Sequence, residues 1–183
     1  MEFIELNENR NTFSIRGHFT DERFSAKKPY SIYSGRAEYG QELHILNNHK
    51  KNARTVNSEL RKEDPDIAYA LKFNHTNGHD GRFPCMTQMR DWWGPDEGSS
   101  QTWLLTQQLG GTSTLHTDNL DYEKRYLIFC TGWQPGQWWW FDGETYTGWN
   151  IGTVIDYDFT RPHATANASE FARTLMQITH KLK

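Results

Sequence analysis

The sequence has 183 residues, a length typical of one domain that buries a proper hydrophobic core. It carries 20 Lys and Arg residues against 23 Asp and Glu residues, and this net charge of −3 argues against a nucleic acid as partner. Its two cysteines are too few for a disulfide scaffold or a cysteine-rich zinc site. No signal peptide or membrane-spanning apolar run is visible, so we expect a cytoplasmic protein without a membrane partner.

The first hundred residues predict short, irregular elements. Three segments rich in β-branched and aromatic residues predict strands: EFIEL, TFSIRGHF and YSIYSG, which begin at residues 2, 12 and 30. The later segment DIAYALKF, residues 66–73, fits either a strand or a helical turn, and its pattern does not separate the two. RDWWGPDEGSS, residues 90–100, is predicted to be a loop because of its glycine, proline and serine content.

From residue 101 onward, short apolar segments recur at intervals of about ten residues, separated by glycine and proline. They are QTWLLTQQL, TSTLHTD, RYLIFCTGW, GQWWWFDG, GTVIDYDF, RPHATAN and ARTLMQITHKL. This spacing predicts an antiparallel barrel or jelly roll, and a fold class that is mainly β with some helix. We therefore expect a single domain over residues 1–183. Residues 1–100 would form an N-terminal supporting region, and residues 101–183 would hold the main part of the core.

The segment TSTLHTD places a histidine and an aspartate two positions apart. Residues i and i+2 of a strand point to the same face, so His116 and Asp118 are expected to converge on one site. The pair alone fits either a metal site or a simple hydrogen bond between an imidazole and a carboxylate. A third ligand would decide between these two interpretations.

His163 and Arg173 follow in the last two predicted strands. If these strands form a hairpin centred on Ala168, His163 lies directly opposite Arg173, and directly opposed residues point to the same face. Both side chains would then project into the barrel, within reach of one small molecule. Two histidines and one carboxylate are the ligand set of non-haem Fe(II) sites that keep other coordination positions open. A guanidinium nearby suits a carboxylate co-substrate, because its planar fork binds a carboxylate through two hydrogen bonds.

With these residues in series, the sequence resembles the Fe(II)- and 2-oxoglutarate-dependent dioxygenases. The resemblance covers residues 101–183 and rests on LHTD, WNIGTVIDYDFTRPHATAN and ARTLMQI. It implies the double-stranded β-helix of that family, a cupin-like jelly-roll core with irregular supporting elements N-terminal to it. It also implies His116, Asp118 and His163 as the iron ligands, and Arg173 as the residue that binds the distal carboxylate of 2-oxoglutarate.

One position departs from the family pattern. Many members have a Ser or Thr two residues after the arginine, where the hydroxyl completes the carboxylate site, and this chain has Leu175 there. Thr174 is expected to face the opposite side of the strand. We assign the missing hydroxyl to Tyr126, on the strand after the His-x-Asp segment, as a second cofactor-binding residue.

The resemblance implies an oxygenase that consumes 2-oxoglutarate and O2, releases succinate and CO2, and hydroxylates a C–H bond of its substrate. A chain of this length leaves little room for insertions, so an open site is expected, which favours a protein or peptide side chain over a small molecule. Candidate substrate contacts are Arg161, two residues before His163, and Trp138 and Trp140, which share one face of the WWWF strand. Trp139 is expected to face the other way. The sequence does not indicate an oligomeric state.

Two other functions stay open at this point. The first is a catalytically silent jelly-roll module that binds a ligand or partner protein in an aromatic cleft. The second is a cupin-like metalloenzyme that binds iron without 2-oxoglutarate, in which Arg173 is structural. The complete ligand set favours the oxygenase over the silent module, whereas Leu175 keeps the second alternative in view.

Overall fold

The computed structural model describes the placement of residues 2–20, 42–46, 53–55, 68–76, 85–93, 98–107, 109–118 and 124–182. Within these ranges the chain forms thirteen strands and one helix. In chain order they are β1 (Phe3–Asn9), β2 (Phe13–Phe19), β3 (Glu42–Leu46), β4 (Ala53–Thr55), β5 (Ala68–Thr76), α1 (Cys85–Trp93), β6 (Gly98–Gln107), β7 (Thr112–His116), β8 (Lys124–Phe129), β9 (Gln137–Phe141), β10 (Glu144–Tyr146), β11 (Thr153–Tyr157), β12 (His163–Asn167) and β13 (Arg173–Leu182). No helix in these ranges is long and apolar enough to cross a membrane.

The strands form two antiparallel sheets. Nine strands make the large sheet, in the order β1-β2-β11-β8-β13-β6-β5-β3-β4, and four make the small sheet, in the order β10-β9-β12-β7. From β6 to β13 the chain alternates between the two sheets, except that β9 and β10 form a hairpin within the small sheet. This is the topology of a double-stranded β-helix, so the predicted jelly-roll fold is confirmed.

The N-terminal strands lengthen the large sheet on both sides of this core. β2 pairs with β11 on one side, and β5 pairs with β6 on the other. β1 contains residues 3–6 of EFIEL, β2 contains residues 13–19 of TFSIRGHF, and β5 contains residues 68–73 of DIAYALKF, so the described part of DIAYALKF is a strand. YSIYSG lies outside the described residues. The alternating core begins at Gly98, slightly before the predicted boundary at residue 101.

Alternation along the large sheet divides its buried apolar side chains between two clusters. The inner cluster lies between the sheets and comprises Phe13, Ile15, Leu127, Phe129, Trp139, Phe141, Tyr146, Trp149, Ile155, Tyr157, Phe159 and Leu175. The outer cluster lies beneath α1 and comprises Phe19, Cys85, Met89, Tyr126, Ile128, Cys130, Val154, Met176 and Ile178. Because β8 contributes to both clusters, its residues from Tyr126 to Phe129 are apolar on both faces instead of alternating with polar residues.

The helix α1 corrects the loop prediction for residues 90–100. α1 continues to Trp93, so the first four residues of that segment are helical. Cys85 and Trp92 are seven positions apart, the spacing of one helix face, and both pack in the outer cluster. The last three residues of the segment, 98–100, belong to β6, and residues 94–97 lie outside the described residues.

Candidate metal centre

The register of two neighbouring strands in the small sheet brings His116 and His163 together. His116 is the last residue of β7, His163 is the first residue of β12, and the two are directly paired. Directly paired residues point to the same face of a sheet, and the two imidazole centroids lie 4.3 Å apart. His163 is buried and His116 is partly exposed, so the pair extends from the interior to its edge.

Asp118 lies just beyond the end of β7. Its backbone N–H donates to the carbonyl oxygen of Phe159 at 2.9 Å, which ties this end of β7 to the segment before β12. The carboxylate faces both imidazoles: Oδ1 lies 3.8 Å from Nε2 of His116, and Oδ2 lies 3.9 Å from Nε2 of His163. One ligand atom from each of the three residues lies within 4.8 Å of the others. The structure thus brings the three sequence-predicted metal ligands together.

Backbone carbonyls orient both imidazoles from the side away from the site. Nδ1 of His163 lies 3.0 Å from the carbonyl oxygen of Arg161, and Nδ1 of His116 lies 2.5 Å from that of Thr114. A carbonyl oxygen only accepts, so in each neutral ring Nδ1 carries the proton and Nε2 keeps its lone pair. Carbonyl partners orient histidine ligands in this way in metal sites. The donor set fits Fe(II), which two histidines and one carboxylate hold in non-haem sites.

The surroundings of His163 favour its neutral form. Desolvation by burial lowers the pKa of His163, and the charge of a protonated His116 acts in the same direction. The backbone carbonyl at Nδ1 and the Asp118 carboxylate oppose this shift. Tyr157 and Phe159 pack edge-on against the ring, with centroid distances of 5.7 and 5.1 Å, and form the apolar wall that desolvates it. A neutral imidazole is the form that binds a metal.

Arg173 is fully buried between the sheets at the start of β13. Its guanidinium donates to the backbone carbonyl of Trp138 at 3.2 Å and to the side-chain oxygens of Gln107 and Thr165. Thr165 follows His163 by two residues on β12, which is about 7 Å along a strand. The guanidinium is therefore a close neighbour of the candidate metal ligands.

Arg173 reaches this position by a route that differs from the predicted hairpin. β12 and β13 belong to different sheets, where His163 pairs with His116 on β7 and Arg173 pairs with Gln107 on β6. The hairpin register centred on Ala168 is therefore wrong. The arginine and the histidine approach each other across the space between the sheets, not as neighbours within one sheet.

The connection between β12 and β13 explains this difference. Asn167 donates from Nδ2 to the carbonyl oxygens of Phe171 at 2.8 Å and of Gln107 at 3.0 Å, and Ser169 donates to Phe171 at 3.0 Å. These bonds close a turn that carries the chain from the small sheet to the large one. Asn and Ser are common in turns of both kinds, so the sequence does not separate a hairpin from this crossover.

The charge of Arg173 has no carboxylate partner among the described side chains. Its partners there are an amide, a hydroxyl and a backbone carbonyl, and its Nε has no hydrogen-bond partner. The guanidinium packs over the rings of Trp139 and Trp149, at 5.3 and 5.7 Å from their centroids. Burial lowers the pKa of Arg173. An anionic ligand would compensate a cation buried in this way.

The hydroxyl beside Arg173 belongs to Thr165. Tyr126 faces the outer cluster, where its ring centroid lies 5.2 Å from that of Trp92, so the structure does not bring Tyr126 to the guanidinium. Leu175 lies in the inner cluster and fills the position of the missing hydroxyl with an apolar side chain. Thr165 could have been found from sequence, because it shares a strand face with the second histidine ligand.

The side chains of the three candidate substrate residues make their described contacts away from the candidate metal ligands. Trp138 and Trp140 point away from the interior and line an open groove of about 440 Å³ together with Leu115, Thr145 and Ala164. Trp139, by contrast, faces inward and is buried, as the alternation of WWWF predicts. Arg161 is partly exposed and forms an ion pair with Asp142, with its Nε 2.8 Å from the carboxylate.

Comparison with known proteins gives one solved structure that shares this fold. No protein-family model matches the sequence, and no curated protein matches it significantly. A 2OG-Fe(II) oxygenase family protein from Burkholderia pseudomallei superposes with a TM-score of 0.53 and 14% identity, over 93% of this chain and 85% of that chain. Two further matches are weaker. A prolyl-4-hydroxylase from Pseudomonas putida has a TM-score of 0.45 and 14% identity, over 68% of this chain and 82% of that one.

The second weaker match is a viral collagen prolyl hydroxylase from Paramecium Bursaria Chlorella virus-1, solved in complex with 2OG. Its TM-score is 0.49 with 8% identity, over 62% of this chain and 79% of that chain. At these identities, the first match shows that this chain has the fold of a solved 2OG-Fe(II) oxygenase. One fold hosts many activities, so the function must be argued from the site.

Proposed function

We propose that this protein is a non-haem Fe(II)- and 2-oxoglutarate-dependent oxygenase that hydroxylates a C–H bond and releases succinate and CO2. The observation that carries the proposal is a combination of two features in one interior. Three metal ligands converge, and beside them lies a buried arginine without a carboxylate partner among the described residues. A metal site alone fits many functions, and a buried arginine alone is often structural. Together they fit a co-substrate that chelates a metal at one end and carries a carboxylate at the other.

The protein's residues divide into those that hold the metal and those that hold the co-substrate. His116, Asp118 and His163 would bind Fe(II) and leave its other positions open for 2-oxoglutarate and O2. Iron and 2-oxoglutarate, when bound, supply the oxidative chemistry. Arg173 would bind the distal carboxylate of 2-oxoglutarate, and Thr165 would supply the hydroxyl that Leu175 lacks.

The inner cluster would keep water away from the buried end of the co-substrate. Trp139 and Trp149 already pack over the guanidinium of Arg173. A charge pair is stronger in such a medium than in water, because the surrounding side chains screen it less. These aromatic side chains would therefore strengthen the interaction between Arg173 and a carboxylate.

The substrate that we propose is a side chain of a protein or peptide, with a small molecule as the second class. The side chains of His116 and Asp118 are 23% and 35% exposed, so the metal ligands lie at the edge of the barrel rather than in a closed cavity. An open edge admits a residue that is part of a larger molecule. The net charge of −3 gives no support to a nucleic acid substrate.

An anaerobic titration of the full chain with Fe(II), and then with 2-oxoglutarate, tests this proposal. We expect the melting temperature to rise at each step, and a visible charge-transfer band to develop only when both are present. His116→Ala should lose both responses. A response to iron without one to 2-oxoglutarate would favour the cupin-like metalloenzyme, and no response to either would favour the silent binding module. Release of succinate above the uncoupled background then serves to screen substrates.

A further inference from the structure

A second arginine, Arg125, is buried next to the candidate metal centre. It is the second residue of β8 and has the same parity along the strand as the inward-facing Leu127 and Phe129. Its side chain is only 7% exposed. Arginine is seldom buried to this extent unless its charge is paired, so its partners indicate what it does.

Two contacts fix the plane of the Arg125 guanidinium. Nη1 donates to Oδ2 of Asp118, and the guanidinium carbon lies 4.3 Å from the centroid of the Phe159 ring. The first contact is a charge-assisted hydrogen bond, and the second is a cation–π contact. A carboxylate at one side and a ring face at the other leave the guanidinium little freedom to turn.

Phe159 connects this arginine to two of the metal ligands. Its ring packs edge-on against His163, with an interplanar angle of 83°, and its backbone carbonyl accepts the N–H of Asp118 at 2.9 Å. The ring is itself buried, at 2% exposure. Arg125, Phe159 and the backbone around Asp118 thus form one supporting layer behind the ligands.

We propose that Arg125 is a positioning residue that holds Oδ2 of Asp118 and so leaves Oδ1 as the oxygen that binds the metal. This inference rests on the proposed function, because it assumes that Asp118 binds a metal. The carboxylate would bind through a single oxygen and leave the neighbouring coordination positions open for the co-substrate. Hydrogen-bond partners of a metal-bound carboxylate orient it in this way, and their loss typically weakens metal binding by about 10–100-fold.

The positive charge of Arg125 and its contact with Asp118 predict opposite effects of an Arg125 substitution on metal affinity. A cation near a divalent metal repels it, so removal of the charge would tighten metal binding if repulsion were the main effect. Removal of a positioning contact would weaken it. A lysine would keep the charge but not the planar fork, and would not restore the orientation of the carboxylate.

A titration of the full chain with Co(II) alone, followed by calorimetry and by the visible d–d absorption spectrum, tests the inference. We expect Arg125→Met to weaken Co(II) binding about 10–100-fold and to change the d–d spectrum. Arg125→Lys should remain close to Arg125→Met. Wild-type affinity in Arg125→Met, tighter binding in that variant, or full restoration by Arg125→Lys would each overturn the proposal.

Arg16 offers a matched control. It pairs with Asp156 at 2.9 Å and lies over the ring of Trp92 at 5.7 Å, so it has the same two kinds of partner at the outer face of the large sheet. Arg16→Met should leave Co(II) affinity and the d–d spectrum unchanged. An equal loss of affinity in Arg16→Met would mean that general destabilisation causes the effect, and this would overturn the proposal.

Phe159→Leu keeps the proposal testable if Arg125→Met does not fold. It removes the ring beneath the guanidinium but leaves the Arg125–Asp118 pair in place, and we expect a smaller loss of Co(II) affinity with the same type of spectral change. An unchanged affinity and spectrum in this variant would contradict the supporting role of the layer.

If the wild-type chain does not bind Co(II), the proposed function fails and the inference fails with it. If the wild-type chain binds Co(II) and the variants bind it with the same affinity and spectrum, the inference fails and the proposed function stands.

Discussion

The interior between the two sheets holds two buried arginines whose surroundings differ in one respect. Arg125 contacts the carboxylate of Asp118, so its charge is compensated within the protein. Arg173 has only neutral partners among the described residues, and aromatic rings surround its guanidinium. The surroundings of Arg125 are therefore typical of a structural residue, whereas those of Arg173 are typical of a binding site for an anion.

The positions of the two arginines strengthen this comparison. Arg125 pairs with Thr179 across the β8–β13 ladder, and Arg173 lies six residues before Thr179, a distance of about 20 Å along a strand. Arg125 contacts Asp118, one of the candidate metal ligands, and Arg173 contacts Thr165, which shares a strand face with His163, another candidate ligand. The candidate metal ligands thus lie between the two cations. Arg125 is paired with Asp118, whereas Arg173 has no carboxylate partner in the part of the chain that the structure describes.

Arg173→Met gives the largest effect that this comparison predicts. We expect the affinity for 2-oxoglutarate to fall by about 30-fold or more, because a buried charge pair with the distal carboxylate is lost, at about 2–5 kcal/mol. The melting temperature without 2-oxoglutarate should be unchanged or higher, because methionine removes a buried charge that no described carboxylate compensates. Calorimetry on the anaerobic iron-loaded protein measures the first effect, and differential scanning calorimetry measures the second.

The metal serves as the internal control for Arg173→Met, since this variant should bind Fe(II) as wild type does. Arg173→Lys keeps a charge but loses the planar fork, and an intermediate 2-oxoglutarate affinity is expected. Wild-type affinity for 2-oxoglutarate in Arg173→Met would instead make this arginine structural, as in the cupin-like alternative.

Asp118→Asn tests the other arginine by removing its counter-charge. In the metal-free protein we expect the free energy of unfolding to fall by about 1–2 kcal/mol, because the buried guanidinium of Arg125 loses its ion pair with Asp118. The value lies below that for a fully buried pair because the Asp118 side chain is 35% exposed. Urea denaturation of the metal-free protein measures the loss.

The Arg16–Asp156 pair again supplies the control. Both of its side chains are about one-third exposed, at 35% and 29%, and exposed pairs contribute at most about 1 kcal/mol. Asp156→Asn should therefore destabilise the protein less than Asp118→Asn does. An equal or larger loss in Asp156→Asn would remove the distinction between a buried and an exposed arginine.

Thr165→Val examines the hydroxyl next to Arg173. The substitution preserves the shape of the side chain, and we expect 2-oxoglutarate affinity to fall about tenfold, the equivalent of about 1.4 kcal/mol for one hydrogen bond to a charged group. Tyr126→Phe removes a hydroxyl on the opposite face of the large sheet, and it should change this affinity less than twofold. The reverse pattern would return the missing hydroxyl to Tyr126.

Much of the fold and of the candidate metal site follows from sequence periodicity. The regular spacing of strands after residue 101 predicts the jelly roll, and the two-residue spacing of His116 and Asp118 places them on one site. Thr165 follows from the same rule applied to His163. The special position of Arg125 could also have been predicted from the sequence, because it is the only charged residue in the apolar segment RYLIFC.

The errors arise where the local pattern carries no information about the partner. RYLIFC is apolar on both faces, so its sequence does not show that Tyr126 points to the outer cluster. The turn after Asn167 has the composition of a hairpin, yet its side-chain hydrogen bonds carry the chain to the other sheet. In both cases, tertiary packing decides between two outcomes that the local sequence permits equally.

The smallest expected effect concerns the tryptophans on the outward face of the small sheet. Trp138 contributes its backbone carbonyl to Arg173, but its side chain points away, into the outer groove with that of Trp140. Trp138→Phe and Trp140→Phe should therefore change the affinities for metal and for 2-oxoglutarate less than twofold, because the backbone contact survives the substitution. Trp139→Phe is the matched inward-facing change, and it should weaken 2-oxoglutarate binding measurably, because a smaller ring covers the guanidinium less completely. Equal effects at all three positions, measured by calorimetry, would contradict the assignment of the binding site to the inner face.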